Sequence, residues 1–377
     1  ATDWGKVLVQ GYKEGGILPK WPLASSYTGC MVGYPAVSVL ADLVAKDLAE
    51  GDMSTWAEAG ARSSVYREDL AEKFKGTREL DLITMHPYYK EKYGFVPADS
   101  VPESVSWGLE MAYEDWCISQ IAKKAGNMEL ANEYAKKAEY YKRYLDPETK
   151  MMRPVMGDGS FRTPFNPRYS SHMKSDYTEG NAFQWSFFAP HDMDNFIAAI
   201  GGKKELETRL DTLFTTSSQI DGAEASGDIT GLIGQYAHGN EPSHHMAYLY
   251  NWTDSPWKGQ GYLDYIMQNF YTNEPDGIIG NEDCGQMSAW YVMSALGFYQ
   301  VSPGIPVYTL GRPMVNKASM HVKGGIFEIV ATNNNPANKY VKEVKLNGKV
   351  LETPFISHSD IINGGKLEFI MTDQPVK

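Results

Sequence analysis

Residues 103–126 read ESVSWGLEMAYEDWCISQIAKKAG, and this stretch decides the fold class. Its apolar side chains recur at three- and four-residue spacing, which is the pattern of a helix packed in a core. They are Trp107, Leu109, Met111, Ala112, Trp116 and Ile121. Gly126 predicts the end of this helix, and Asn127 predicts the N-cap of a second helix that runs to Tyr144. The two segments together predict a helical hairpin.

Further helical patterns lie on both sides of this hairpin. The opening segment, 1–27, is rich in Gly and Pro and is predicted as loop. Helical spacing then follows over 34–48, 54–74, 180–189, 203–215, 241–252, 256–272 and 284–297. Long connections over 146–178 and 216–240 carry Trp, His and carboxylate residues at their ends. Loops of this length in a compact domain are usually functional or disordered, and these residues favour a functional role.

Helices that alternate with long loops predict a mainly α fold, an (α/α)6 toroid whose loops form a cleft at one end. We count about nine helices, fewer than a closed ring of six hairpins needs. Either some helices escape the pattern, or the first ones lie upstream of this chain.

Past Pro303 the periodicity changes to two, which indicates strands. The apolar–polar alternation covers 307–310, 319–322, 326–331, 341–346 and 367–371, with turn signals such as Asn347-Gly348 between the runs. We therefore predict an α-toroid catalytic domain over 1–303 and a small antiparallel, sandwich-like β domain over 304–377.

Composition narrows the function classes. The 377 residues include 35 Lys and Arg against 47 Asp and Glu, a formal net charge of −12. A chain this acidic lacks the basic stripe that neutralises phosphates, so no nucleic-acid partner is expected. No apolar run is long enough to predict a transmembrane helix. The three cysteines are far apart in sequence, which argues against a thiolate zinc site and a disulfide framework.

The first dense polar cluster is Asp176-Tyr-Thr-Glu-Gly-Asn181, at a helix entrance. One interpretation is N-terminal capping, in which Thr178 or Glu179 satisfies the first amides of the helix. The other is a general acid, because aromatic surroundings raise the pKa of a carboxyl group.

The second cluster is Gly239-Asn-Glu-Pro-Ser-His-His245. Asn240 and Glu241 offer the oxygen ligands that calcium prefers, whereas adjacent histidines do not share a helix face well enough for a zinc site. The alternative is a capped helix in which His244 and His245 bond to loop carbonyls.

The third cluster, over 276–286, places Asp283 in a glycine-rich loop that opens a helix. It predicts either a simple turn with Asp283 as N-cap or a general base that faces water. Two carboxylates on separate loops of one cleft are the minimal machinery of glycoside hydrolysis. Trp21, Trp107 and Trp257 are candidate sugar platforms, although core packing explains each equally well.

These clusters resemble glycoside hydrolase family 92, the calcium-dependent exo-α-mannosidases. The matching stretches run in family order along nearly the whole chain: GILPKW (16–21), YTGCMVG (27–33), YTEGN (177–181), ITGLIGQY (229–236), GNEPSHH (239–245), GNEDCGQMSAWY (280–291) and GFY (297–299). The resemblance implies an N-terminal β-sandwich before an (α/α)6 catalytic domain, and removal of terminal mannose with inversion. It further implies a secreted or periplasmic location and mannose-containing N-glycans as substrates.

Residue roles also follow from the resemblance. Glu179 is expected as general acid and Asp283 as general base. Asn240 and Glu241, with Gln235, are expected around the Ca²⁺ that contacts the 2- and 3-hydroxyls of the sugar. The expected substrate contacts are Trp21, Cys30, Met31, Asn181, His244 and His245. The linkage expected from the family is α-1,2.

Two features depart from the family pattern. Many members have Asp where this chain has Asn281, so a single base is expected here. The chain also lacks the N-terminal sandwich and an upstream Trp-Asp segment of the sugar pocket, so we expect either a fragment or a missing half that exists as another chain. Residues 1–5, with neither a signal peptide nor an initiator Met, are expected to be a processed or truncated start. Two other readings therefore stay open: a mannose-binding or inactive fragment that needs its missing half, and a toroid enzyme of another kind such as a lyase or phosphorylase.

Overall fold

A computed structural model describes residues 1–23, 26–28 and 30–376. Gly29 of the YTGCMVG stretch and Lys377 at the end of the predicted β domain lie outside the described residues. The chain forms two compact units. Unit 1 comprises Ala1–Asp192, Ile220–Ser226 and Pro303–Ile305, and unit 2 comprises Met193–Gln219, Gly227–Ser302 and Pro306–Lys377. The division at residue 303 that the sequence suggested stays a prediction.

The described residues of unit 1 form mainly helices, with one short hairpin. Its helices are α1 (Thr2–Gly15), α2 (Ala36–Ala45), α3 (Met53–Ser63), α4 (Glu68–Lys73), α5 (His86–Tyr93), α6 (Ser104–Lys124), α7 (Met128–Lys137) and α8 (Ala182–Trp185). The hairpin pairs β1 (Pro22–Leu23) with β2 (Ser26–Tyr27). Segments of 3₁₀ helix add Arg78–Leu82, Ala138–Arg143 and Pro190–Asp192.

Helix α6 is the core of unit 1. Val105, Leu109, Cys117, Ile118 and Ile121 are completely buried on it, and α2, α3 and α7 pack around it. Gly108 is required at its position because a Cβ atom there would lie 2.0 Å from the Tyr144 hydroxyl. This confirms the helical hairpin predicted from residues 103–144.

Three predictions of local structure in unit 1 are corrected. The opening segment is not loop: α1 spans Thr2–Gly15, and Gly16, with φ of 84°, ends it in the left-handed conformation that favours glycine. The helix predicted over 54–74 is two helices, α3 and α4, broken between Ser63 and Glu68. Helix α5 was not predicted, and it carries Pro87 in its first turn, where proline is well tolerated.

Unit 2 contains α9 (Met193–Ile200), α10 (Lys203–Thr215), α11 (Pro256–Asn269), α12 (Gln286–Leu296) and α13 (His358–Ile362). Helix α10 has the bounds that the sequence predicted, whereas α9 was missed. The helix predicted over 241–252 is instead two 3₁₀ segments, Glu241–Ser243 and Met246–Trp252. The long connections 146–178 and 216–240 contain no helix within the described residues.

The strands of unit 2 are β3 (Leu232–Ile233), β4 (Tyr236–Ala237), β5 (Phe298–Tyr299), β6 (Val307–Leu310), β7 (Lys317–Val322), β8 (Gly325–Thr332), β9 (Tyr340–Leu346), β10 (Lys349–Val350), β11 (Phe355–Ser357) and β12 (Gly365–Thr372). Strands β3 and β4 form a hairpin, and two sheets have the orders β11-β6-β5 and β10-β9-β12-β8-β7. All described pairs are antiparallel except β8 with β12, which run parallel. The predicted strands after Pro303 are confirmed, and their core consists of residues such as Phe327, Ile329, Leu367 and Phe369.

Within the described residues, no helix combines the length and the apolar character that crossing a bilayer requires.

Candidate active site

The segment that carries Glu179 is fixed to unit 1 on both sides. The Thr178 amide donates to Ser106 Oγ at 2.8 Å, and Trp185 Nε1 donates to the Thr178 carbonyl at 2.9 Å. Upstream, the Val105 amide at the start of α6 donates to the Asp176 carbonyl at 3.0 Å. These contacts hold the backbone before Glu179 against the buried core helix.

Glu179 stands just before α8 with φ of 47°, in the left-handed region that is uncommon for residues other than glycine. The cap of α8 is Asn181, whose Oδ1 accepts from the Phe183 amide at 2.9 Å. The Asn181 amide in turn donates to Gln184 Oε1 at 2.7 Å, which completes a capping box. Capping by Thr178 or Glu179, the alternative drawn from the sequence, is therefore not what the structure has. The half-buried Glu179 carboxylate is not needed for the cap of α8.

Asn181 itself is completely buried. The structure gives its side chain the capping role, and its predicted contact with substrate stays a prediction.

Trp21, Cys30 and Met31 lie around the β1–β2 hairpin of unit 1. The Trp21 carbonyl accepts from the amide and the hydroxyl of Thr28 at 3.2 and 3.1 Å, and the Trp21 ring is half-buried. Cys30 is exposed, and its amide donates to the Thr28 hydroxyl at 3.1 Å. Met31 has φ of 71°. Trp107, by contrast, is only 5% exposed, which favours the core interpretation for that residue.

Burial shifts the pKa values of three groups of unit 1 that were not predicted as site residues. Burial lowers the pKa of the Lys20 amine to about 8, and this amine lies 4.8 Å from the centre of the Trp107 ring. Burial also raises the pKa of Glu103 and raises that of the fully buried Glu114 well above its usual value. Lys20 was within reach of sequence reasoning, because it lies inside the GILPKW stretch.

Asp115 is completely buried on α6. Its carboxylate accepts from Lys90 Nζ at 2.9 and 3.0 Å and is also bonded by the Tyr34 hydroxyl. It belongs to a buried ion pair and not to a solvent-facing site.

Unit 2 holds the remaining predicted residues on two adjacent segments, 235–245 and 280–286. Gln235 is completely buried, and its Nε2 donates to the carbonyls of Ser217 and Gln219 at 2.7 and 3.0 Å. Asn240 Oδ1 accepts from the Glu241 amide at 3.1 Å and caps the first 3₁₀ segment. Glu241 is half-buried in that segment.

Glycines bring the two segments together. Gly280, with φ of 75°, packs so closely that a Cβ atom there would lie 2.8 Å from Thr230 Oγ1 and 3.2 Å from Gly239 Cα. Only a residue without a side chain allows this approach. The segment with Asn240 and Glu241 is thereby held beside the segment with Asp283.

Glu282, and not Asp283, caps helix α12. Glu282 Oε2 accepts from the Gly285 amide at 2.6 Å, and Oε1 accepts from the Ser288 amide at 3.2 Å. These bonds to Ser288 and Gly285 lower the pKa of Glu282. Asp283 stands beside this cap with φ of 52°, and no described residue donates a hydrogen bond to its half-buried carboxylate. The alternative of Asp283 as N-cap is therefore also not what the structure has.

Asn281, the residue that departs from the family pattern, donates from Nδ2 to Asp228 Oδ1 at 3.2 Å. A carboxylate from the 216–240 connection thus contacts the residue that stands two positions before the candidate base.

A buried network centred on His238 joins the two segments. Tyr271 donates its hydroxyl hydrogen to the Met287 carbonyl at 3.1 Å, so it accepts from His238 Nε2 at 2.7 Å. His238 Nδ1 then accepts from the Tyr236 hydroxyl at 2.8 Å. The His238 ring packs edge-to-face on Trp290 of α12, with 4.4 Å between ring centres. Burial lowers the pKa of His238 well below its usual value, in keeping with the neutral ring that these bonds require.

His244 extends the same network. Gln286 Nε2 of α12 donates to His244 Nδ1 at 3.1 Å, so His244 Nε2 carries the hydrogen that bonds the His238 carbonyl at 2.9 Å. Trp290 Nε1 donates to the His244 carbonyl at 2.9 Å. His244 and His245 are both buried, and the bond of His244 to a loop carbonyl agrees with the alternative interpretation of that residue. His238 was not predicted, although it stands immediately before the polar stretch Gly239–His245 that contains His244 and His245.

Gln235, Asn240 and Glu241 carry side-chain oxygen atoms of the kind that a hard cation such as Ca²⁺ prefers. The two bonds donated by Gln235 Nε2 fix that amide, so that only its carbonyl oxygen remains as a ligand atom. Among the described residues, no group of three or more His, Cys, Asp and Glu side chains is placed to hold a metal ion. A cation held by these three residues would therefore have one carboxylate and two amide oxygens as its protein ligands.

Comparison with known proteins decides the family. A sequence profile described as the glycosyl hydrolase family 92 catalytic domain matches residues 1–373. The chain belongs to glycosyl hydrolase family 92. The resemblance drawn from the sequence motifs is thereby confirmed.

Solved structures resemble this family 92 chain along its whole length. A GH92 α-mannosidase from Bacteroides thetaiotaomicron, solved in complex with mannoimidazole, is 38% identical with a TM-score of 0.88, over 100% of this chain and 48% of that protein. A GH92 inverting mannosidase from the same organism is 31% identical with a TM-score of 0.84, over 98% of this chain and 50% of its own. These likenesses confirm the predicted fold class, a mainly α chain of the (α/α)6 toroid class with a small β region.

A curated relative from Arthroderma benhamiae, described as an uncharacterized secreted glycosidase, is 24% identical over 307 residues. That match covers 74% of this family 92 chain and 37% of the relative. The chain therefore spans about half or less of the length of the relatives that it matches.

Proposed function

We propose that this chain carries the catalytic residues of a calcium-dependent, inverting exo-α-mannosidase that removes terminal mannose from N-glycans and related mannosides. Membership of family 92 supports glycoside hydrolysis. Two similar proteins are described as an α-mannosidase bound to mannoimidazole and as an inverting mannosidase, which supports the substrate class and the stereochemistry. A relative described as secreted supports an extracytoplasmic location.

One observation carries the assignment of the two carboxylates. Glu179 and Asp283 each stand in a left-handed backbone conformation at a helix entrance, with φ of 47° and 52°. In each case a neighbouring side chain, Asn181 or Glu282, makes the capping bonds. Backbone strain of this kind costs roughly 1–3 kcal/mol and persists where the surrounding structure enforces it, often at functional sites. A carboxylate that stands on strained backbone and does not cap its helix is a good candidate for a general acid or a general base.

In this mechanism the Glu179 carboxyl group donates its proton to the glycosidic oxygen as the bond to the leaving sugar breaks. The Asp283 carboxylate accepts a proton from a water molecule as that water attacks the anomeric carbon from the opposite face. The product is β-mannose, with inverted configuration. Because Glu282 holds the Gly285 and Ser288 amides, the Asp283 carboxylate keeps its lone pairs for the water.

Asn240, Glu241 and Gln235 would hold the calcium ion. When bound, calcium supplies positive charge and fixed contacts to the 2- and 3-hydroxyls of the sugar, which is positioning rather than activation of the nucleophile. The His238 network keeps these residues and Asp283 in register by tying their two segments to α12. These hydrogen bonds form without a ligand, so the site is preorganised for the sugar.

The acid role is tested with Glu179→Gln. Loss of the proton donor should lower kcat/KM on unactivated mannosides by more than about a hundredfold. On an aryl mannoside with a good leaving group, which departs without protonation, the loss should be far smaller. An equal loss on both substrates refutes the acid role.

The base role is tested with two neighbours on one loop, Asp283→Asn and Glu282→Gln. Asp283→Asn should remove nearly all activity on both substrate types, because every turnover needs an activated water. Glu282→Gln should retain more activity than Asp283→Asn, since its amide oxygen still accepts one of the two capping bonds that the Glu282 carboxylate makes. In Asp283→Ala, added azide should restore turnover, because azide attacks the anomeric carbon without a base. The product should be β-mannosyl azide. A stronger loss in Glu282→Gln than in Asp283→Asn would reverse the assignment.

The metal role is tested with Glu241→Ala. This variant should weaken the calcium dependence of activity and sugar binding together, and unchanged sensitivity to a chelator would remove Glu241 from the metal site.

The α-1,2 linkage rests on family resemblance alone. Release rates from α-1,2-, α-1,3-, α-1,4- and α-1,6-mannobiose decide it, and a faster rate on any isomer other than α-1,2 contradicts this preference.

A further inference from the structure

A groove on unit 2 is lined by aromatic residues that the proposed chemistry does not use. It runs along α11 and beside the start of β9, has a volume of about 460 Å³, and we name it the α11 groove. Its main lining residues are Trp257, Tyr262, Tyr265, Gln268, Lys339 and Tyr340. None of them belongs to the candidate catalytic or metal-binding set. Pockets for small ligands span roughly 300–1,000 Å³, so the groove has room for an oligosaccharide segment.

The groove follows from the sequence of α11. Residues 257, 261, 265 and 268 are spaced by three or four and so share one face of the helix. The helix face is open at Gly261, where a Cβ atom would meet only the Tyr340 ring, at an ordinary contact distance of 3.9 Å. A helix face that combines large aromatic rings with a central glycine forms a trough and not a packed surface.

The aromatic rings are held in place yet remain accessible. Trp257 and Tyr340 pack edge-to-face with 6.4 Å between ring centres, and both are half-buried. Tyr262 stacks on Phe214 at 3.9 Å, which fixes its ring from below. Tyr265 is 49% exposed. Rigid rings of this kind offer a large apolar face with a polar edge at little entropic cost, which suits the C–H face of a pyranose.

The charged groups of the groove sum to about zero. Lys258 is paired with Glu207 and Asp211 at 2.8 and 2.6 Å, and Asp264 is paired with Arg312 at 2.9 Å. The amine of Lys339, which lies 5.4 Å from the centre of the Tyr340 ring, adds the positive charge that balances the second of the two carboxylates paired with Lys258. Charged ligands therefore find little net attraction there.

Side-chain amides supply the hydrogen bonds instead. Gln268 Nε2 donates to Asp264 Oδ1 at 2.9 Å, and Asn269 Nδ2 donates to the Tyr265 carbonyl at 2.7 Å. Each bond orients the amide and leaves its carbonyl oxygen for a ligand hydroxyl. Aromatic faces combined with neutral acceptors fit a polyhydroxylated, uncharged ligand better than a peptide or a nucleotide.

We propose that the α11 groove is a second glycan-binding site, which takes a neutral mannose-containing oligosaccharide in addition to the one that is hydrolysed. The choice of mannose rests on the proposed function, whereas the choice of an uncharged sugar rests on the groove itself. The site would retain the chain on a polymeric or branched substrate and would have no influence on a small one.

The test is native gel electrophoresis of the chain in gels that contain α-mannan. The Glu179→Gln background prevents digestion of the polymer, and Trp257→Ala and Tyr265→Ala are added to it. Each should weaken retardation by mannan about fivefold or more, because an aromatic ring that stacks on a ligand contributes on the order of 1 kcal/mol or more. Tyr265 is exposed, so its variant should fold even if Trp257→Ala does not. Trp4→Ala is the matched control, since Trp4 is 70% exposed on α1 and lies outside the groove.

A second readout separates this proposal from the catalytic one. In the active chain, Trp257→Ala and Tyr265→Ala should leave kcat/KM on an aryl mannoside within about twofold, but lower the rate on mannan several-fold. Retardation that depends on Trp257 and Tyr265 in a chain that hydrolyses no mannoside would support the groove and refute the proposed function. Retardation unchanged in both variants, or weakened equally by Trp4→Ala, overturns the groove. Equal retardation by dextran and by mannan overturns its preference for mannose.

Discussion

Replacement of His238 by Phe tests the network that joins the two segments of unit 2. The substitution keeps an aromatic ring against Trp290 but removes both ring nitrogens. The Tyr236 hydroxyl, which is completely buried, then loses its acceptor at 2.8 Å, and the Tyr271 hydroxyl loses the donor at 2.7 Å. Tyr271 retains its own bond to the Met287 carbonyl.

The magnitude follows from these losses. A buried polar group left without a partner costs about 1–3 kcal/mol, and an ordinary hydrogen bond contributes about 0.5–1.5 kcal/mol. His238→Phe should therefore lower the free energy of unfolding of unit 2 by roughly 2–4 kcal/mol. Chemical denaturation followed by near-UV circular dichroism, which reports on the packed aromatic residues, measures this change.

A double-mutant cycle isolates the bond to Tyr236. Tyr236→Phe removes the stranded hydroxyl, so in the His238→Phe background it should cost less than alone, with a coupling of about 1–2 kcal/mol. Additive losses from the two substitutions, or a loss below about 0.5 kcal/mol for His238→Phe alone, would refute this reasoning.

Two further predictions concern unit 1. The buried rings of His86 and His191 each donate from Nε2 to a backbone carbonyl and leave Nδ1 without a described partner, so burial lowers the pKa of both from 6.5 to about 4. Between these two pKa values the unfolded chain binds more protons than the folded chain. The contribution of the two rings to the free energy of unfolding should therefore be complete above pH 6.5 and should fall by about 1.4 kcal/mol per pH unit for each ring as the pH drops toward 4. Denaturation across this range measures the change, and the two His→Asn variants should give flatter profiles. Gly108→Ala should lower the free energy of unfolding by about 2 kcal/mol or more, because its Cβ atom would meet the Tyr144 hydroxyl at 2.0 Å. Gly15→Ala, with open space around it, should leave the stability unchanged or slightly higher. Thermal melting of the two variants measures both effects. Equal effects of the two glycine substitutions would contradict the packing described for α6.

Periodicity predicted the elements whose burial repeats regularly along the chain. The bounds of α10 and the strands after Pro303 follow from such repeats, because each presents one face to a core. Helix α1 escaped because its glycines suggested a loop, and tertiary packing overrides that preference: Gly5 lies where a Cβ atom would meet the Trp56 ring at 2.6 Å. A glycine needed for close packing looks, in sequence, like a glycine needed for a turn.

The site shows a similar limit. The sequence placed Glu179 and Asp283 at helix entrances but did not reveal which residue of each cluster makes the cap. That choice depends on backbone angles, and in both clusters a near neighbour, Asn181 or Glu282, has the geometry. The His238–Tyr271 bond joins residues 33 positions apart, so no local pattern predicts it.

The most direct test of the central claim is proton NMR of mannose released by this chain from an α-mannobiose, recorded in the first minutes with calcium and again with a chelator. The account predicts β-mannose as the first-formed anomer, release that stops on chelation, and release that returns when calcium is restored. A first-formed α anomer, release that a chelator does not affect, or no release under any of these conditions would contradict it.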